Sequence, residues 1–150
     1  MALMKKRRSF RRLIQQDQYY GFADSKDKIV IKAVFDKASE FSEGLALVKH
    51  HGKYGYIDMD GKTAIPMNYD NGSDFHEGLA AVAVGKKYGY IDQEENMVIP
   101  LKYADAADFC EGFAVVCLDG KYGYIDKTGK MVVPATYEDA RSFETLFCSF

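Results

Sequence analysis

Lys53-Tyr54-Gly55-Tyr56-Ile57-Asp58 is the stretch on which the fold turns. Large and small side chains alternate along it with a period of two, and most are strand formers. Gly52 precedes it and Asp60-Gly61-Lys62 follows, both signals for tight turns. The same six residues recur at 87–92 and 121–126, a spacing of 34 each time. Tyr20-Gly21-Phe22-Ala23-Asp24 is a divergent fourth copy at the same offset. Pro66, Pro100 and Pro134, the only three prolines, keep that spacing, as do Phe41, Phe75, Phe109 and Phe143. No insertion breaks the phase between residues 20 and 143.

Helical repeats also use a period near 34 residues, so local chemistry has to decide. Strict alternation, and a proline four residues beyond each second turn, exclude a helix. Each repeat therefore reads as three short strands, near 45–49, 54–58 and 63–66 in the best copy. A longer connection follows at 68–77, and its counterpart at 103–108 is expected to make a helical turn. Four aromatic ladders run through the array: Tyr20/54/88/122, Phe22/Tyr56/Tyr90/Tyr124, Phe35/Tyr69/Tyr103/Tyr137 and Phe41/75/109/143. Large rings dominate burial, so a chain of this size needs at least two ladders in its core. Gly55, Gly89 and Gly123 lie inside strands, where glycine marks a bulge or the close approach of a bulky neighbour. Gly44, Gly78 and Gly112 precede strands and are expected at positive φ.

The expected fold is thus all-β, a tandem array of about four 34-residue units, each a three-stranded antiparallel meander. Units fall near 20–53, 54–87, 88–121 and 122–150 within a domain of 19–150. Stacking as a β-solenoid or superhelix is the leading arrangement, and a closed barrel-like or propeller-like one is the alternative. Residues 1–18 read as a basic arm or a capping helix, since Phe10, Leu13 and Ile14 form a helical stripe within 4–16. Residues 146–150 retain alternation and read as a closing strand.

Gly-Lys-Tyr-Gly-Tyr-Ile-Asp-x-x-Gly-Lys, Ile-Pro-x-x-Tyr-Asp and Phe-x-Glu-Gly-Leu-Ala-x-Val together resemble the WG (KWG) β-repeat, found mainly in bacterial proteins. The likeness spans residues 20–143, with Tyr at 20, 54, 88 and 122 in place of the family's Trp. The resemblance implies an interaction or scaffold module and supplies no catalytic residue.

Composition narrows the class further. The 150 residues include 20 Lys plus Arg against 22 Asp plus Glu, a net charge of −2. With 47% apolar and 28% charged residues the chain is globular, neither disordered nor membrane-spanning. Residues 1–18 hold Lys5, Lys6, Arg7, Arg8, Arg11 and Arg12 against Asp17, or +5, which leaves −7 for the remainder. A basic arm thus precedes an acidic body. The arm lacks the apolar stretch of a secretory signal, and a cytoplasmic location is expected. Three cysteines, Cys110, Cys117 and Cys148, form no regular framework and are expected as reduced thiols.

Little catalytic chemistry emerges. Asp24, Asp58, Asp92 and Asp126 close the second strands and suit a turn-capping role. Four equivalent carboxylates do not make the asymmetric pair that acid–base catalysis needs. Glu43, Glu77 and Glu111 read as a solvated row. His76 and Cys110 share one repeat position and are expected to approach each other, but no further ligand in register makes them a metal site. No phosphate-cradling loop is present. No enzyme, metal or cofactor is therefore expected.

Specificity is sought instead where copies differ or rings emerge. Tyr56, Tyr90, Tyr124, His50, His51, Asn71, Ser73, Arg7, Arg8, Arg11 and Arg12 are the expected interaction surface. A non-enzymatic protein-interaction module is the leading function, and carbohydrate or cell-wall polymer binding by an aromatic ladder is the alternative. Self-association through sheet edges and contact of the basic arm with nucleic acid or an anionic surface are the remaining partner expectations.

Overall fold

The computed structural model describes residues 10–137. Every regular element among them is a β-strand, and the strands form four separate antiparallel sheets. No helix long and apolar enough to cross a membrane occurs among the described residues. The chain divides into two compact units after Tyr69.

In the first unit, β1 (Arg12–Gln16), β2 (Tyr19–Ala23) and β3 (Ile29–Phe35) form a three-stranded sheet in that order. The second sheet of this unit holds β4 (Lys37–Ala38), β5 (Ala46–His50), β6 (Lys53–Ile57) and β7 (Thr63–Tyr69). In the second unit, β8 (Asn71–Gly72), β9 (Ala80–Val84), β10 (Lys87–Ile91) and β11 (Met97–Tyr103) repeat that plan. β12 (Asp105–Ala106), β13 (Phe113–Leu118), β14 (Lys121–Asp126) and β15 (Met131–Tyr137) repeat it again. Each sheet is an open meander with two edges, and none closes into a barrel.

Three expectations need correction. Three of the four sheets add a two-residue strand to the expected three: β12 occupies the segment expected as a helical turn, pairing Asp105 with Cys117 and Ala106 with Val116. Residues 12–16 are a strand, with Leu13 opposite Phe22, so the helical reading of 4–16 does not hold over its described part. All five residues pair in regular antiparallel register with β2, so a ladder satisfies backbone groups that a short helix would have to pair within itself. The third strands run on to 69 and 103, past the proline. The expected closing strand at 146–150 and Phe143 lie outside the described residues.

A bulge explains how a strand continues past proline. Tyr54 pairs with Tyr69 and Tyr56 with Ile65, so two steps on β6 face four on β7. The extra residues include Pro66, whose missing N–H is harmless at such a bulge. Gly55 lies under it. A Cβ there would meet the Ile65 carbonyl oxygen at 2.5 Å and the Pro66 carbonyl carbon at 2.7 Å. Of the two expected reasons for glycine, the bulge is the one found, and the neighbour that demands it is backbone. Gly89 and Gly123 face Ile99 and Val133 in the same way, each at 2.5 Å.

Two-residue turns set the strand order. Glu43-Gly44, Glu77-Gly78 and Glu111-Gly112 each have two consecutive positive φ angles, with the glycines at 84°, 82° and 88°. The mirror-image turn this makes matches strand twist. The glycine φ was legible from sequence; the left-handed glutamates were not.

Burial follows the repeat. Phe22, Tyr56, Tyr90 and Tyr124 are all in the core, as are Phe35, Tyr69 and Tyr103. Phe75 and Phe109 are buried too, and Phe41 is half-buried against Phe22 with ring centroids 4.7 Å apart. Tyr90 and Phe109 make the corresponding edge-to-face contact at 4.9 Å in the second unit. Three ladders thus contribute to the core. Tyr20, Tyr54, Tyr88 and Tyr122 are only half-buried.

Candidate interaction surface

The sequence-derived surface residues separate into several environments. Tyr56, Tyr90 and Tyr124 are 0%, 0% and 2% exposed, so they belong to the core and present nothing to a partner. Their alternation partners are the in-strand glycines, so the same period admits either face. The bulged strand packed over Gly55 decides which face is outside. Tyr90 donates its hydroxyl proton to the Ala107 carbonyl at 2.6 Å. Burial first, and then the nearby Asp108 carboxylate, push its pKa well above the usual phenol range.

His50 ends β5 and His51 opens the turn to β6, with ring centroids 3.9 Å apart. His50 also meets the Phe35 ring edge-on at 6.0 Å. His51 is exposed, and its N–H donates to Asp36 Oδ2 at 3.0 Å. Asn71 is exposed on β8 and donates from Nδ2 to the Tyr88 hydroxyl at 2.7 Å. Ser73 is half-buried, and its Oγ accepts the Ala81 N–H at 3.1 Å, which ties it to the sheet.

Two arginines of the basic arm also have structural partners. Arg11 donates from Nε to the Met59 carbonyl at 2.8 Å, and Arg12 pairs with Asp27 at 2.5 Å. Arg7 and Arg8 lie outside the described residues.

The acidic row at the turn tips is more than solvated charge. Glu77 Oε1 accepts the Gly112 N–H at 2.9 Å, and Lys127 Nζ stands 3.8 Å from the same oxygen. His76 Nε2 lies 3.3 Å from Asp108 Oδ2. Cys110 is disulfide-bonded, so it is not the thiol that the expected pairing with His76 required. Cys117 is free and buried. The expectation of three reduced thiols is therefore corrected at Cys110, because an irregular cysteine spacing does not reveal which residues the fold brings together. Among the described residues no three His, Cys, Asp or Glu side chains cluster as a metal ion would need.

The aspartates that close the second strands act as turn caps. Asp58 Oδ1 accepts the N–H groups of Asp60 at 2.9 Å and Lys62 at 3.0 Å. Asp24, Asp92 and Asp126 do the same at their turns. Bonds to the ionised form lower a carboxyl pKa. The Lys28 N–H leads this effect at Asp24, the Asn96 side chain at Asp92 and the Thr128 hydroxyl at Asp126.

Exposed apolar side chains on three third strands, each in its own sheet, were missed. Ile29, Val30 and Val34 on β3 are 42%, 38% and 46% exposed, and Met97, Val98 and Val132 on β11 and β15 are similarly open. A continuous apolar run such as Ile29-Val30-Ile31 has no period that marks which side chain faces out. Only the edge position and the bulge expose them.

Repeated four-stranded sheets with aromatic cores and exposed third strands define a repeat-based β module. The chain belongs to the family of WG containing repeats, which matches residues 20–54, 54–88, 88–122 and 122–144. No curated protein matches the sequence. Among solved structures, the crystal structure of a plant albumin from Cicer arietinum showing hemagglutination is similar at 12% identity and a TM-score of 0.34, over 89% of this chain and 92% of that one.

Proposed function

We propose that the chain is a non-enzymatic protein-binding module whose contacts are made by exposed third-strand side chains and by the turn residues that differ between repeats. One observation carries this reading: the repeated rings fill the cores, while much of what varies lies outside. Exposed apolar side chains grouped along a strand suit protein contact. Fixed cores with variable exteriors are also how repeat proteins acquire partners.

The test is chemical cross-linking and capture by the intact chain, repeated with Val98→Glu and Val132→Glu together. Partners captured by the native chain and lost with the double variant support the reading. No partner above background contradicts it.

Carbohydrate recognition is a second reading, favoured only by the half-buried Tyr20, Tyr54, Tyr88 and Tyr122 row. Lys49 sits 5.5 Å from the Tyr54 ring centre, and Asn71 bonds Tyr88, so these rings carry polar neighbours of the kind sugars use. Quenching of tyrosine fluorescence by cell-wall oligosaccharides would support it, and unchanged emission would remove it.

A further inference from the structure

We propose that the outer edge of β3 is a docking strand for an extended protein segment in which acidic and apolar residues alternate. This inference rests on the protein-binding reading above. All four third strands have the same two register shifts against their neighbours. β3, β7 and β11 also share one burial pattern. At one place in that pattern β7, β11 and β15 carry Pro66, Pro100 and Pro134. Proline offers no N–H, so the fold itself makes no use of a donor there. Proline also guards a sheet edge against further pairing. β3 carries Lys32 at this place and so has a backbone donor that its three counterparts lack.

A second difference lies two residues on. Val34 is 46% exposed, where the other copies have Asn68, Lys102 and Thr136. With Ile29 and Val30 it makes β3 the most apolar of the four exposed third strands. Strand addition draws affinity from main-chain hydrogen bonds and specificity from alternate side chains, and β3 offers both.

Charge selects the partner. Lys32 on β3, and Lys26 and Lys28 in the turn that leads into it, are all exposed. The carboxylates of the same stretch are engaged elsewhere. Asp24 accepts the N–H groups of Lys26 and Lys28, Asp27 pairs with Arg12, and Asp36 accepts the His51 N–H. A lysine-rich strip on an otherwise acidic body favours an acidic segment. It disfavours β3 of a second copy, whose own lysines would be brought alongside.

The test uses the full, isotope-labelled chain titrated with a synthetic peptide of alternating glutamate and valine, and separately with its lysine–valine counterpart. The expected result is backbone amide shifts centred on residues 29–35 with the acidic peptide alone. Lys32→Pro installs what three repeats already carry, so it is expected to keep the native melting temperature and bind several-fold more weakly. Lys32→Gln, which retains the N–H, is expected to bind between the two. Pro100→Lys is expected to create a second site on β11, independently of how Lys32→Pro folds. No shift on β3, equal binding by the lysine peptide, or undiminished binding by a folded Lys32→Pro overturns the inference. Lysate partners retained by Lys32→Pro would remove the β3 edge and leave the binding reading intact, whereas no partner for the native chain removes that reading.

Discussion

Gly55 and Pro66 face each other across a bulge, and the proline depends on the room that the glycine leaves there. A Cβ on Gly55 would stand 2.7 Å from the Pro66 carbonyl carbon, closer than side-chain carbons approach backbone. Proline needs the bulge because it cannot join a regular ladder, and the bulge needs bare backbone beneath it. Gly55→Ala is therefore expected to destabilise by on the order of 3 kcal/mol, as overpacking against backbone does. Urea unfolding checks it, and a midpoint within error of the native one would contradict the packing argument.

Glu77 combines a left-handed backbone with a carboxylate that accepts the Gly112 N–H. Glu77→Ala keeps the backbone strain and loses a charge-assisted bond, an expected cost of about 1–3 kcal/mol. Glu77→Gln keeps an acceptor and is expected to recover much of that. Thermal melts of both variants measure the difference.

Acid sensitivity follows from the turn caps. Asp24, Asp92 and Asp126 have native pKa values below the ordinary 3.8. A carboxyl with a depressed native pKa stabilises the fold fully above its unfolded value, and the contribution is lost as pH falls through the native one. The urea midpoint is therefore expected to hold above the ordinary carboxylate range and to drop below pH 3.8. Asp126→Asn is expected to flatten that decline, and an unchanged acid slope would contradict the capping role.

Tyr90 works in the opposite direction. Its pKa is raised, so its contribution is complete below the ordinary phenol value of 10.0 and is lost as pH rises above it. Tyr90→Phe removes the bond to the Ala107 carbonyl and is expected to cost about 1 kcal/mol at neutral pH. The same change is expected to lessen alkaline destabilisation, measurable by circular dichroism on a pH series.

Much of this architecture was legible in the sequence because the repeat states it four times. Strand type, the turn role of Asp58 and the positive φ of Gly44 each follow from local chemistry. The short strands β8 and β12 were not legible, since two residues carry no periodicity and pair only because the hairpin beside them is already formed. The outward or inward sense of Tyr54 and Tyr56 was also open. They lie two residues apart and share a face, so alternation does not distinguish them, and only the packing of the folded sheet buries Tyr56 while leaving Tyr54 half-buried. The exposed run at Ile29-Val30 was obscured for a related reason: edge position is a property of the whole sheet.

Nitration of tyrosines in the folded chain, located by peptide mass spectrometry, tests the core assignment most directly. Tyr19, which is 39% exposed, and the half-buried Tyr54 and Tyr88 are expected to react, while Tyr56, Tyr90 and Tyr124 stay unmodified until the chain is unfolded. Comparable modification of Tyr56 and Tyr54 under native conditions would contradict an interior built from the second ladder.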